Sequence, residues 1–208
     1  MTKIFVVSGT DTDVGKTIFC SALVGTIKGY YWKPIQCGSL SHTDTEIVAQ
    51  LSNIPSNHIL EEKYRLSAAL SPHRSAELEG RSIDCNSLKP PIVKGTLIIE
   101  GAGGLMVPLT RSFLQIDLYA IWKFPVILIA RTKLGTINHT LLSLSALRSR
   151  NIPLHGIVFI GEENSDTQKT ICQMGQARYL GRLPPLLEIN TNSLQEAFRS
   201  HFSEKDFM

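Results

Sequence analysis

A glycine-bounded loop near the start of the chain carries the residue types that bind a phosphate chain. Residues 9–17 read G-T-D-T-D-V-G-K-T. Gly15 lets the backbone approach a ligand closely, the Lys16 ammonium can reach terminal phosphates, and the Thr17 hydroxyl can hold a magnesium ion. Backbone N–H groups of such a loop, continued by those at a helix N-terminus, form an anion site. The pattern predicts a protein that uses a nucleotide.

The loop departs from the usual phosphate loop in two ways. Five residues separate Gly9 from Gly15 in place of the usual four, and Asp11 and Asp13 stand where a phosphate is expected. Acids beside a phosphate are unfavourable unless they face a metal, a cationic substrate or an amine. We therefore expect them to face a metal, a cationic substrate or an amine. The alternative is an accidental Gly-Lys-Thr match with solvated aspartates in a turn.

Further charged residues follow other apolar runs. Glu100 comes directly after the run 96–99 and before Gly-Ala-Gly-Gly at 101–104, which places it at the carboxyl end of a buried strand. There it either has a metal or phosphate role or is a structural acid. Asp44 begins a helical pattern, so it either holds a metal or complements the helix dipole. Lys33 follows a short strand and either adds a second ammonium to an anion site or remains a solvated charge.

The elements that would position these residues alternate along the chain. Near-continuous apolar runs predict strands at 4–8, 30–32, 96–99, 125–130 and 156–160. Helical spacing predicts helices at 16–28, 43–52, 115–123, 137–150, 166–175 and 192–202. The predicted N-caps are Thr43, Thr136 and Asn192. This alternation is typical of one α/β domain, residues 1–208, with a parallel sheet covered by helices on both faces. The long segment 52–94 is expected to be irregular and to form a lid or a substrate wall.

Composition excludes several classes of protein. The 208 residues are 43% hydrophobic and 19% charged, with a net charge of +3 and no basic cluster, so the chain is globular and lacks a nucleic-acid surface. Its four cysteines show no metal-ligand spacing and are expected to be reduced thiols. No apolar run approaches the length of a bilayer span and no signal-like segment is visible, which favours a cytoplasmic location.

Several motifs in order along the chain resemble the dethiobiotin synthetase family. They are the loop 9–17, W-K-P-I-Q-C-G from 32, the Asp44 helix, S-P-H-R-S-A-E-L-E-G (71–80), I-I-E-G-A-G-G-L-M-V-P (98–108), P-V-I-L-I-A (125–130) and K-L-G-T-I-N-H (133–139). The resemblance implies a P-loop NTPase fold and a reaction that uses ATP, magnesium and carbon dioxide. The product is dethiobiotin, made by closing a ureido ring on 7,8-diaminononanoate in biotin biosynthesis.

The resemblance also implies a role for each matching residue. Lys16 would stabilise the transferring phosphate and the carbamate, Lys33 would hold the carbamate, and Thr12 would line the place where phosphates meet substrate. Magnesium would be held by Thr17, Asp44 and Glu100. The remaining nucleotide contacts would be Asp13, Val14, Gly15, Ile18, Gly101, Ala102, Gly103, Ile160, Gly161, Leu183, Pro184 and Pro185.

Substrate binding is implied at two places. Cys37 stands near the substrate where the family commonly has Ser or Thr, and a thiol is a weaker hydrogen-bond partner. Family members are homodimers, and Gly135, Thr136 and Asn138 match a segment that binds the substrate carboxylate of the neighbouring subunit.

One departure concerns the nucleotide base. Where the family commonly has an Asn that reads adenine, this chain has Ile160 followed by Gly161. Loss of that reader predicts weaker or more promiscuous base recognition, with other nucleoside triphosphates accepted.

Two other classes of protein compete with this interpretation. A nucleotide-switch ATPase of the partitioning or positioning type usually carries a second lysine at the loop start, where Thr10 or Asp11 stands here. An amide-forming synthetase of the cobyrinate type normally adds a glutamine-hydrolysing domain, for which this chain has no room.

Overall fold

The computed structural model describes residues 3–38 and 42–208. The strands are β1 (Ile4–Gly9), β2 (Tyr30–Trp32), β3 (Ile35–Cys37), β4 (Ile59–Leu60), β5 (Tyr64–Leu66), β6 (Leu97–Gly104), β7 (Val126–Arg131), β8 (Leu154–Ile160) and β9 (Tyr179–Leu183). The helices are α1 (Lys16–Ile27), α2 (Asp44–Ser52), α3 (Pro72–Leu78), α4 (Gln115–Trp122), α5 (Thr136–Ser149), α6 (Ser165–Met174) and α7 (Thr191–His201).

Seven strands form one sheet in the order β4-β2-β6-β1-β7-β8-β9, and every neighbouring pair is parallel. After β1 the chain forms β2 and β4 on one side of it, and β6 then fills the position between β2 and β1. Strands β7, β8 and β9 extend the sheet on the opposite side of β1. This reversal of direction opens a crevice at the carboxyl ends of the central strands, which is where α/β sheets bind ligands. Strands β3 and β5 form a separate parallel pair.

Both faces of the large sheet are buried, as the uninterrupted apolar runs predict. On one face α1, α2 and α7 pack around an aromatic cluster that includes Phe19, Phe198 and Phe207. On the other face, two aromatic residues of α4, Tyr119 and Trp122, pack together, and Trp122 also contacts Trp32. Among the described residues, no helix combines the length and apolar character needed to span a membrane.

The five predicted strands and six predicted helices are all present, but two predicted N-caps are wrong. Thr43 caps α2 in a reciprocal capping box with Glu46. Helix α5 instead begins after Gly135, in the left-handed conformation at φ 93°, so Thr136 is its first residue. Helix α7 begins after Asn190, whose side chain accepts the Ser193 N–H, so Asn192 lies inside the helix.

Most of the short elements, although not β2, were not predicted from the sequence. Strands β3, β4 and β5 have two or three residues each, too few to show a period, and the edge strand β9 is interrupted by Gly181 and Arg182. The segment 52–94 is therefore not irregular throughout, because it contains β4, β5 and α3.

Candidate active site

The phosphate-binding loop joins β1 to α1 in the strand–loop–helix order predicted for it. Gly15 precedes the helix at φ 94°, a conformation that favours glycine, and a Cβ there would lie 2.7 Å from Ile160 Cδ1. No side chain caps this helix start, so its first backbone N–H groups are free to meet an anion. Lys16 and Thr17 are the first two residues of the helix and project from this anion site.

The two loop aspartates have different surroundings. The Asp11 carboxylate accepts a hydrogen bond from Arg131 at 2.7 Å, and its backbone carbonyl accepts one from Lys16 Nζ at 3.2 Å. Arg131, at the end of β7, is thus the cation beside Asp11, and this pairing was not predicted from the sequence. Asp13 is exposed, and its backbone φ is 53°. It lines both of the large cavities described below.

A buried ionic cluster lies beside the loop and unites residues from α1, α2, β6 and the connection between β2 and β3. Lys33 Nζ donates to Asp44 Oδ2 and, at 3.1 Å, to Glu100 Oε1. Thr17 Oγ1 donates to the same Glu100 oxygen at 2.9 Å. Lys33 is 4% exposed and Glu100 is 1% exposed, so neither is a solvated surface charge.

Mutual attraction sets the charge states in this cluster. Burial by itself would lower the pKa of Lys33, but the carboxylates of Glu100 and Asp44 outweigh it and hold that pKa above its ordinary value. Burial would likewise raise the pKa of Asp44, and the Lys33 ammonium outweighs it and lowers that pKa. Burial lowers the pKa of Lys16, with Glu100 opposing the shift. The cluster therefore holds a charged ammonium between two carboxylates.

The donor set of this cluster fits a hard divalent cation. Two carboxylates and a threonine hydroxyl, from Asp44, Glu100 and Thr17, are oxygen ligands of the kind that Mg²⁺ prefers. Within residues 3–38 and 42–208, no group of three or more His, Cys, Asp or Glu side chains could hold a metal ion.

The cluster forms the floor of a cavity of about 740 Å³. Most of the residues predicted to bind nucleotide phosphates or substrate line it, namely Thr12, Asp13, Gly15, Lys16, Thr17, Ile18, Lys33, Cys37, Asp44, Glu100, Ala102 and Gly103. Ala69 to Pro72 also line it, so part of the segment 52–94 forms a wall of the site. Burial raises the pKa of Cys37 to about 11, which leaves a neutral thiol facing the cavity.

One residue that the sequence analysis did not identify orients this site. Gln36, 5% exposed, accepts the Asp44 backbone N–H at 3.1 Å through its side-chain oxygen and donates to the Cys37 carbonyl at 2.8 Å. Its position in W-K-P-I-Q-C-G, three residues after Lys33, was the signal that could have identified it.

A second cavity of about 480 Å³ opens on the other side of the loop. Asp13, Val14, Gly15, Ile160, Gly161 and Pro185 line it, as do Arg131, Thr132, Lys133 and residues 162–164. Both backbone polar groups of Gly161 are already engaged, the N–H with the Leu183 carbonyl at 3.1 Å and the C=O with Arg182 at 2.9 Å.

Some predicted residues lie outside both cavities. The Leu183 side chain is in the core, and Pro184 does not line either space. Gly101 packs against Tyr119, whose hydroxyl would lie 1.9 Å from a Cβ at that position. The segment Gly135–Asn138 begins α5 at the surface, where Gly135 and Asn138 are exposed and Thr136 is buried, so one chain does not bring it to the main cavity.

The parallel sheet, the loop before α1 and the lysine–carboxylate cluster define a P-loop NTPase. Solved structures with this fold include the MinC:MinD cell division complex of Aquifex aeolicus (TM-score 0.51, 12% identity, 94% of this chain and 86% of that one). A putative plasmid partition protein of Borrelia burgdorferi bound to AMPPNP is similar (TM-score 0.51, 13% identity, 96% and 98%). These likenesses concern the fold.

Sequence relatives are much closer. The family model described as an AAA domain matches residues 3–193. The ATP-dependent dethiobiotin synthetase BioD of Rhodopseudomonas palustris (strain HaA2) is 50% identical over 208 residues, covering 100% of this chain and 98% of that protein. The protein of the same name from Agrobacterium fabrum is 52% identical over 204 residues, covering 98% and 96%. The chain therefore belongs to the ATP-dependent dethiobiotin synthetase family.

Proposed function

We propose that this enzyme is a cyclo-ligase that closes the ureido ring of dethiobiotin. Its substrates are 7,8-diaminononanoate, carbon dioxide and ATP, the whole chain 1–208 acts as one domain, and the reaction belongs to biotin biosynthesis in the cytoplasm. The observation that carries the proposal is the Lys33–Asp44–Glu100–Thr17 cluster at the floor of the main cavity, next to the phosphate loop. Its members are the residues that the family resemblance assigns to the reaction.

The chemistry divides into three steps. One substrate amine takes up carbon dioxide and loses a proton to form a carbamate. A carbamate oxygen then attacks the γ-phosphate and displaces ADP, and the second amine displaces phosphate from the resulting mixed anhydride to close the ring. Lys33 would hold the carbamate, and Lys16 would stabilise negative charge on the transferring phosphate. Because phosphoryl transfer requires little covalent participation by the protein, positioning and charge stabilisation supply most of the catalysis.

The loop geometry is consistent with contacts to both ligands. Thr12 and Asp13 line the main cavity, and Asp13 also borders the second one, so the loop lies between the cavity proposed for the diamine and the phosphates and the cavity proposed for the nucleotide base. An acid at this position has a favourable neighbour when the ligand carries an amine. Mg²⁺ would be held by Thr17, Asp44 and Glu100, and when bound it would neutralise charge on the nucleotide phosphates.

We also propose a homodimer in which the segment Gly135–Asn138 meets the carboxylate of a substrate bound by the other copy. Support comes from the start of α5, which has no side-chain cap: the Thr136 N–H is bonded to the Lys133 carbonyl, but the next two N–H groups, of Ile137 and Asn138, have no backbone acceptor among the described residues and can meet an anion. Leu134 and Leu142 are exposed on the same segment and helix, with exposed fractions of 107% and 61%. Light scattering coupled to size-exclusion chromatography tests this, and a monomer at assay concentrations contradicts it.

The second cavity supports relaxed selection of the nucleotide base. Ile160 presents an alkyl side chain that packs toward Gly15, and the Gly161 backbone groups are engaged within the protein. We expect CTP and GTP to replace ATP with similar half-saturation below about 1 mM. A strong preference for ATP under those conditions contradicts this expectation.

The function itself is tested by coupling of phosphate release to the diamine. Purified protein with ATP, Mg²⁺ and bicarbonate should release phosphate only when 7,8-diaminononanoate is present. Hydrolysis of ATP at the same rate with and without the diamine favours a nucleotide-switch ATPase instead. The fold is shared with such proteins, and no residue contact in the described part of the chain favours that alternative.

A further inference from the structure

A buried tyrosine donates a hydrogen bond to the rear of the Glu100 carboxylate. Tyr31, in β2, is fully buried, and its hydroxyl lies 2.9 Å from Glu100 Oε2. The contact joins neighbouring strands of the sheet, because β2 pairs directly with β6. Glu100 is itself 1% exposed, so water cannot readily replace the tyrosine hydroxyl.

The two oxygens of this carboxylate face different surroundings. Oε1 accepts from Thr17 and Lys33 on the cavity side, at 2.9 and 3.1 Å. Oε2 accepts from Tyr31 on the core side, at 2.9 Å. The tyrosine thereby fixes the rotation of the carboxylate so that one oxygen is presented to the cavity.

We propose that Tyr31 is a positioning residue that orients Glu100 for divalent-cation binding. This inference rests on the proposed magnesium role of Glu100. Hydrogen-bond partners behind a metal ligand restrict its orientation, and removing one typically weakens metal binding about 10- to 100-fold. Tyr31 does not line the main cavity, and its hydroxyl contacts Glu100, so its effect on a cation bound there passes through Glu100.

The test is the substitution Tyr31→Phe, which removes the hydroxyl and keeps the ring that packs in the core. Mn²⁺ serves as the probe, and its binding to the protein saturated with a non-hydrolysable ATP analogue is followed by the electron paramagnetic resonance signal of free aqueous Mn²⁺. We expect the dissociation constant for Mn²⁺ to rise about 10- to 100-fold. Affinity for the nucleotide in EDTA should stay within about twofold, because the anion site is unchanged.

Tyr64→Phe is the matched control. Tyr64 is also a buried tyrosine that makes one hydrogen bond of 2.9 Å, but it accepts the Asp84 backbone N–H and lies outside the main cavity. Both variants should show comparable losses in melting temperature, and only Tyr31→Phe should lose Mn²⁺ affinity. A loss of Mn²⁺ affinity in both would mean that general destabilisation is the cause, and would overturn the positioning role.

Failure of the inference and failure of the proposed function give different results. Equal Mn²⁺ affinity in the wild type and in Tyr31→Phe overturns the role of Tyr31 while leaving the magnesium site intact. A wild-type protein that binds no Mn²⁺ beyond that held by free nucleotide overturns the metal role of Glu100 and, with it, this inference. The Mg²⁺ concentration for half-maximal activity, which should rise in Tyr31→Phe with little change in the KM for the diamine, provides a second readout.

Discussion

Replacing Lys33 by Met should destabilise the fold as well as abolish catalysis. The Lys33 ammonium is the positive group between the carboxylates of Asp44 and Glu100, and it is 4% exposed. Met has a similar length and no charge, so the substitution leaves two carboxylates facing each other. The Glu100 side chain is fully buried, whereas the Asp44 side chain is 28% exposed, so the penalty falls mainly on Glu100.

The magnitude follows from this burial. Removing one partner of a buried ion pair lowers the free energy of unfolding by about 3–5 kcal/mol, because the other charge remains buried and unpaired. The partial exposure of Asp44 places the expected loss near the lower end, about 3 kcal/mol. For a chain of this length each kcal/mol corresponds to about 2–4 °C in melting temperature, so a drop of at least about 6 °C is expected.

Urea unfolding of the two proteins, followed by circular dichroism at neutral pH, measures the difference. Lys169→Met is the control, since Lys169 is exposed on α6, and it should change stability by less than about 0.5 kcal/mol. Added Mg²⁺ should restore part of the stability of Lys33→Met, because a cation can then neutralise both carboxylates. A Lys33→Met protein within about 1 kcal/mol of wild type refutes the reasoning, since the cluster would then be neither desolvated nor strongly coupled.

Three further predictions follow from the same contacts. Gly15→Ala should weaken nucleotide binding more than tenfold in calorimetric titration, because Gly15 has φ 94° and an added Cβ would meet Ile160 at 2.7 Å; unchanged affinity contradicts this. Phe198→Ala should lower the free energy of unfolding, measured by urea titration, by about 3–5 kcal/mol, because Phe198 is fully buried among aromatic rings. A loss under about 1 kcal/mol would show that the core is not packed as described. The pKa of Asp44 is lowered in the folded state, so its contribution to stability is complete above its ordinary pKa of 3.8 and is lost as pH falls through the folded-state value. The free energy of unfolding of Asp44→Asn should therefore decline less than that of the wild type between about pH 5 and pH 3. An equal decline in both proteins refutes the linkage.

Local sequence patterns predicted most of the framework. Strands buried on both faces show as uninterrupted apolar runs, so β1, β6, β7 and β8 were visible, and helices of eight or more residues show a period. Most of the short elements, apart from β2, were not visible. Strands of two or three residues carry no periodicity, and β3 and β5 exist because each pairs with the other across 26 intervening residues or more. The N-cap of α7 was misplaced because Asn190 and Asn192 have equal propensity, and only the contact with Ser193 distinguishes them.

By itself the sequence determined the phosphate-binding loop, the order of strands and helices, and the charged residues at the ends of strands. These features depend on residue types within a few positions of one another. Only the tertiary structure decided which charges meet. Arg131 contacts Asp11 across 120 positions and Tyr31 contacts Glu100 across 69, and both contacts arise from the order of strands in the sheet. Strand order depends on long-range pairing and packing, which no local pattern in one sequence specifies.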